Sequence, residues 1–106
     1  MPADFTDLGR FTDVALLVLL SLARGEPKHG YAMIEDIHTF SGTLLEPGTL
    51  YGALMRLERQ GWIAQQAAEE RRRPYAITPE GRAALHAGLA TLRRIVMAAE
   101  ARGALA

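Results

Sequence analysis

The sequence predicts a mainly α-helical chain with one small β-hairpin. Two observations predict this fold class: apolar residues recur at helical spacing in several separate segments, and two short strand-like segments flank a charged turn between the third and fourth of them. The chain has 106 residues, of which 49% are hydrophobic and 23% are charged. This composition suits a single globular unit with one core rather than a disordered chain.

Charge and cysteine content limit the possible functions. The 12 basic and 12 acidic residues cancel, so any attraction to DNA has to come from local clusters rather than from net charge. All basic residues except Lys28 are arginines, whose forked guanidinium suits phosphate and guanine. The absence of cysteine excludes disulfides and thiolate metal ligands, and it is compatible with the reducing cytoplasm in which we expect the protein to act.

The most apolar segment, residues 14–23, is predicted to be a buried first helix. It is about half as long as the roughly 20 residues that a membrane-spanning helix needs. The charged residues before it are mostly acidic, three aspartates against one arginine. This is the wrong sign for a secretory leader, and we expect no membrane association. The helix is predicted to start at Asp13 with Thr12 as its N-cap, and residues 1–10 are expected to form a flexible arm.

Two further helices follow. The second is predicted over residues 29–40, because apolar residues recur every three positions from Tyr31 to Ile37. The third is predicted over residues 47–60, since Pro47 suits the first turn of a helix. Its buried stripe comprises Leu50, Leu54 and Leu57.

The hairpin and a long last helix complete the chain. Strands are predicted over residues 62–69 and 73–77, joined by a turn at 69–72. Thr78 can cap a helix over residues 79–102. Its apolar residues step by four, three, four and three, which is a heptad seam suited to packing against another helix. The predicted dimer interface is therefore Leu85, Leu89, Leu92, Val96 and Ala99.

Three short helices followed directly by a hairpin form the plan of a winged helix-turn-helix. In such domains the third helix enters the major groove of DNA and the hairpin reaches the neighbouring backbone. We therefore assign residues 1–78 to a DNA-binding domain and residues 79–106 to a dimerisation helix packed on it.

The third helix has an unusual face opposite its leucines. Two glycines leave part of this face bare at a cost of about 1 kcal/mol each relative to alanine, and Glu58 is expected nearer the core. The alternative, an ordinary surface helix, leaves that cost unexplained. The predicted DNA contacts on this helix are Pro47, Gly48, Thr49, Tyr51, Gly52, Met55, Arg56 and Arg59.

Further DNA contacts are predicted at the hairpin turn and before the second helix. Arg71, Arg72 and Arg73 can reach phosphates, although a solvated turn balanced by nearby glutamates is the alternative. Lys28 and His29 complete the set, and the alternative for His29 is a helix cap.

No catalytic, cofactor or metal site is predicted. Glu35 and His38 have the i, i+3 spacing used in di-iron bundles, but such sites need a second copy that this sequence lacks. Phosphate-binding loops, nucleophile elbows and zinc-protease motifs are also missing. We therefore predict a protein that is not an enzyme and needs no cofactor.

Several segments, in order, resemble the PadR-type transcriptional regulators, and the resemblance spans residues 13–85. They are His29-Gly30-Tyr31, Pro47-Gly48-Thr49-Leu50-Tyr51, Leu57-Glu58-Arg59-Gln60-Gly61-Trp62-Ile63 and Arg72-Arg73-Pro74-Tyr75-Ala76-Ile77-Thr78-Pro79-Glu80-Gly81. The resemblance implies a homodimer held by the C-terminal helix, binding a pseudo-palindromic operator, usually as a repressor, and in some cases answering a small-molecule effector.

Two positions depart from the PadR pattern. Glu46 stands where serine is common, and Ala76 replaces a residue that is often basic. The zero net charge and Glu46 favour one alternative: a winged-helix protein-interaction module that does not bind DNA.

Overall fold

The computed structural model describes residues 13–67 and 73–105. Within these ranges the elements run in the predicted order, and the fold class is confirmed as mainly helical with one antiparallel hairpin. The elements are α1 (Val14–Ser21), α2 (Gly30–Ser41), α3 (Pro47–Arg59), β1 (Ile63–Gln65), β2 (Tyr75–Ile77) and α4 (Pro79–Ala101). The predicted arm over residues 1–10 lies outside the described residues.

The start of α1 differs from the prediction. Asp13 is the N-cap, because its carboxylate accepts a hydrogen bond of 2.9 Å from the backbone N–H of Ala15. The predicted cap, Thr12, precedes this position and lies outside the described residues. The helix also ends at Ser21, two residues earlier than predicted, and the chain turns away at Gly25 with φ +91°.

The core lies where the first three helices meet, closed by β1 and the start of α4. The predicted leucine stripe of α3 is confirmed, since each of its three members is at most 1% exposed. The largest fully buried side chains are Val18, Leu22, Met33, Ile37, Leu50, Leu54, Leu57 and Ile63. Burying such side chains is the main force that holds short helices together.

The hairpin is shorter than predicted, with three residues in each strand. Its register pairs Ile63 with Ile77 and Gln65 with Tyr75. The backbone of Lys28 adds a bridge to Tyr75, with N···O distances of 2.9 and 2.8 Å. This bridge fixes the hairpin to the segment that leads into α2. The predicted turn at 69–72, with Arg71 and Arg72, lies outside the described residues.

Helix α4 has two unlike halves. Its first half packs on the domain through Gly81 and Leu85, and Leu16 of α1 lies against Gly88. Its second half leaves large apolar side chains exposed. At 1.5 Å per residue the helix is about 34 Å long, and the molecule extends 52 Å in its longest direction. In the described part of the chain, no helix combines the length and the apolarity needed to cross a membrane.

Candidate nucleic-acid interface

The outward face of α3 carries the side chains that the sequence assigned to it. Seven of the eight predicted residues are exposed and Gly52 is half-buried. We call Gly48, Gly52, Met55 and Arg59 the groove stripe, because they follow one another along the side opposite the buried leucines. The stripe contains no acidic residue. Glu58, which the sequence places nearer the core side of the helix, is exposed.

The two glycines of the groove stripe are not required by the chain itself. Neither has a positive φ, so alanine could adopt the same helical backbone. A Cβ atom on Gly48 would meet nothing within 4 Å, and one on Gly52 would make only an ordinary contact of 3.6 Å with the Arg56 side chain. Packing within the described chain therefore does not explain why these two positions lack side chains.

The N-terminus of α3 also has free hydrogen-bonding capacity. Its N-cap, Glu46, makes no side-chain hydrogen bond to the first turn, so the backbone N–H groups of Gly48 and Thr49 are available to an external acceptor. The Glu46 carboxylate itself is exposed and opposes the approach of an anion. The start of α3 therefore combines a helix dipole that attracts an anion with a carboxylate that repels it.

A cleft of about 500 Å³ separates α3 from the start of α2 and from the hairpin. Among the residues that the structure describes, its lining contains no carboxylate and comprises His29, Gly30, Tyr31, Tyr51, Gln65, Arg73 and Tyr75. The Tyr51 ring covers Gly30, where an added Cβ would lie 3.0 Å from the tyrosine hydroxyl oxygen. Gln65 Nε2 donates a hydrogen bond of 3.2 Å to the Tyr75 hydroxyl. A cleft lined by phenols and an arginine suits a phosphate oxygen.

Sequence reasoning missed three side chains of this cleft, those of Tyr31, Gln65 and Tyr75, and the backbone of Gly30. Tyr31 was expected on the buried apolar face of α2, yet it is 70% exposed, because the residues of α2 that reach the core are Met33 and Ile37. Counting tyrosine as apolar produced the error. Its position directly after Gly30, at the start of a helix, is the signal that could have assigned it to the surface.

Lys28 does not belong to this surface. Its ammonium donates to the Ser21 carbonyl oxygen at 2.7 Å and to Asp36 Oδ2 at 2.9 Å, and Ser21 Oγ lies at 3.4 Å. Since an ammonium has three protons, Lys28 is occupied within the chain, and the prediction that it contacts DNA is corrected. The Ser21 hydroxyl, donating at 2.7 Å, and then Lys28 hold the pKa of Asp36 below its ordinary value.

The predicted dimer interface is divided by the structure. Leu85 is only 5% exposed and belongs to the core of its own chain, so it offers little surface to a partner. Leu89, Leu92 and Val96 are 39–47% exposed and pack on nothing in the described core. Ile95 and Met97, which the heptad spacing did not select, are the most exposed apolar residues of α4, at 59% and 57%.

Metal binding has no support among the residues that the structure describes. In these ranges no three histidine, aspartate or glutamate side chains come together as a possible metal site. Glu35 and His38 are not part of any such group in these ranges.

The fold is that of a winged helix-turn-helix protein. The family model described as "Transcriptional regulator PadR-like family" matches residues 18–87. The chain belongs to this family, as the sequence resemblance predicted. The family and the similar structures are transcriptional regulators rather than enzymes.

Solved structures of family members are similar over most of their length. A PadR family regulator from Clostridium difficile R20291 has 25% identity and a TM-score of 0.74, with 82% of this chain and 94% of that chain covered. A PadR family regulator from Eggerthella lenta DSM 2243 has 30% identity and a TM-score of 0.71, with 95% and 87% covered.

A protein of transposon Tn4556 from Streptomyces fradiae is 42% identical over 86 residues, which is 81% of this chain. The chain spans a quarter of the length of that uncharacterised relative.

Proposed function

We propose that this protein represses transcription by binding a pseudo-palindromic operator as a homodimer in the cytoplasm, with α3 of each subunit in a major groove. The proposal depends on the groove stripe. The stripe has no side chain at Gly48 and Gly52, although packing in the described chain does not require glycine at either position, and it contains no acidic residue. The floor of the major groove of DNA is a surface to which a recognition helix comes this close. The described contacts would be Pro47, Gly48, Thr49, Tyr51, Gly52, Met55, Arg56 and Arg59.

The DNA backbone would cross the cleft beside α3. The residues that line this cleft include Tyr31, Tyr51 and Arg73, and His29 stands at the start of α2 without a side-chain capping bond. Donors of this kind position a protein on phosphates without reading sequence. Arg71 and Arg72 would extend the same contact along the backbone, as the sequence predicts.

The exposed half of α4 supports the homodimer. Leu89, Leu92 and Val96 continue the line of Leu85 beyond the body of the domain, and Ala99 follows at the next step of the seam. A second copy of the seam would bury these side chains, and two-fold symmetry would then place the two α3 helices about 34 Å apart, one turn of DNA. A small-molecule effector that changes this spacing would relieve repression.

The test is a binding titration of the purified protein against the DNA upstream of its own gene, at several salt concentrations. We expect specific binding by two chains per site. The triple variant Arg71→Ala, Arg72→Ala, Arg73→Ala should weaken binding to all duplexes and reduce the slope of log K against log salt by about one to three. An unchanged slope would show that the hairpin does not contact DNA. A stable monomer in sedimentation would refute the arrangement of two paired α3 helices.

The second candidate function is a winged-helix interaction module without DNA. The exposed Glu46 carboxylate at the N-terminus of α3 favours it, because this charge repels phosphate. The two candidates separate in the same titration: the module would bind neither the upstream DNA nor an unrelated duplex at low salt. Glu46→Ser would then gain no affinity, whereas in a DNA-binding protein it should strengthen binding.

A further inference from the structure

The groove stripe has one large apolar side chain. Met55 is 62% exposed and is not among the residues that form or pack against the core. The stripe is otherwise made of two glycines and an arginine, and its flanks carry hydroxyl groups and Arg56. The exposure of Met55 therefore has no explanation in the packing of the described chain.

The shape of the stripe fixes where Met55 would stand in a groove. A body pressed against α3 meets bare backbone at Gly48, where a Cβ would have open space, and at Gly52, where a Cβ would make only an ordinary contact with Arg56. One helical turn further on it meets the thioether of Met55, and after another turn the guanidinium of Arg59. These side chains are about 5.4 Å apart along the helix, which corresponds to one or two base pairs.

Only one apolar group is presented by unmodified bases in the major groove, the 5-methyl group of thymine. We propose, on the basis of the proposed function, that Met55 reads sequence by packing on that methyl group in each half-site. Arg59, which makes no ion pair with any residue in the described ranges, then faces a base one or two pairs away. Bidentate bonding to guanine is the contact that an arginine makes best at this position.

The experiment removes the methyl group without altering hydrogen bonding. A binding site is selected from a randomised duplex library with the wild-type protein, and each thymine of that site is then replaced singly by uracil. We expect one replacement in each half-site to weaken binding about fourfold, the loss expected for one methyl group returned to water. Every other replacement should leave the affinity nearly unchanged.

Two variants assign the effect to Met55. With Met55→Ala, the uracil at the sensitive position should bind as well as thymine, because the side chain that sensed the methyl group is gone. Met97→Ala is the matched control, since Met97 is a methionine of similar exposure on α4; it should keep the fourfold difference between thymine and uracil.

Two results would overturn the proposal differently. A selected site that binds tightly but is insensitive to uracil at every thymine would refute the role of Met55 while leaving DNA binding intact. Failure to select any site would refute the proposed function and this inference together. The uracil scan uses the wild-type protein, so neither result depends on the folding of a variant.

Discussion

The first turns of α3 and α4 are similar in sequence but are used in opposite ways. Each has a proline at its first position and a glycine one or two residues later, Gly48 in α3 and Gly81 in α4. A Cβ on Gly81 would overlap the carbonyl oxygen of Trp62, whereas a Cβ on Gly48 would meet no atom within 4 Å. One glycine is therefore needed for packing inside the chain, and the other is not.

The caps of the two helices show the same contrast. Thr78 fastens α4: its hydroxyl accepts from the Gly81 N–H at 3.0 Å and donates to the Gly61 carbonyl oxygen at 2.6 Å. Glu46 makes no such bond at the start of α3. The first turn of α4 thus has a capping bond from its own chain, and the first turn of α3 has none. A helix start without internal partners is where a binding surface should be sought.

The largest effect is expected from Gly81→Ala. The new methyl group cannot be accommodated without moving α4 away from Trp62, and overpacking of this kind should lower the free energy of unfolding by about 3 kcal/mol. Urea unfolding followed by circular dichroism measures it. An equal loss for Gly48→Ala would contradict the distinction between the two helices.

A smaller effect of opposite sign is expected from alanine at the groove stripe. Gly48→Ala with Gly52→Ala should raise the free energy of unfolding by about 2 kcal/mol, because alanine favours the helix over glycine by about 1 kcal/mol at each position. The same change should weaken DNA binding about tenfold, since two methyl groups would hold α3 away from the groove floor. Unfolding and binding titrations on one preparation give both values.

The control for these two substitutions is an alanine-to-glycine change on another helix. Ala90→Gly on the exposed side of α4 should lower the free energy of unfolding by about 1 kcal/mol and leave the DNA affinity unchanged. If the double alanine variant binds DNA as tightly as the wild type, close approach at the groove stripe is wrong.

Much of the fold follows from apolar spacing alone. The leucines of α3 repeat at three and four residues and point inward, which also defines the outward face by elimination. The spacing of apolar residues cannot distinguish a residue that packs on its own domain from one that is left exposed for a partner subunit. Leu85 and Leu89 belong to one heptad seam, but only Leu85 lies over the body of the domain.

The candidate surface was less predictable because it depends on contacts between distant residues. Lys28 is the clearest case. Its position before α2 suggested a free cation, but the fold brings Ser21 and Asp36 to its ammonium from two different helices. Tyr75 was assigned only to a strand, and the hairpin then carries it into the cleft beside Tyr51.

The smallest effect is expected at the start of α2, which shares one feature with the start of α3 and another with the start of α4. Its N-cap makes no side-chain bond, but Lys28 just before it is fastened to Asp36, with side chains 24% and 38% exposed. The pKa of Asp36 in the folded chain lies below its ordinary value of 3.8. The ion pair therefore stabilises the fold above about pH 4, and this contribution is lost as the pH falls through the folded-state pKa.

Comparing Asp36→Asn with the wild type isolates this contribution. At pH 7 the variant should be less stable by about 0.5 kcal/mol, the amount expected for a partly exposed pair, and the difference should shrink as the solution is acidified below pH 4. Urea midpoints across this range provide the measurement. Glu35→Gln is the matched control, because the neighbouring Glu35 is exposed and forms no ion pair in the described ranges. A difference between Asp36→Asn and the wild type that stays constant from pH 7 to pH 3 would show that Lys28 is held by its backbone bridge to Tyr75 rather than by charge.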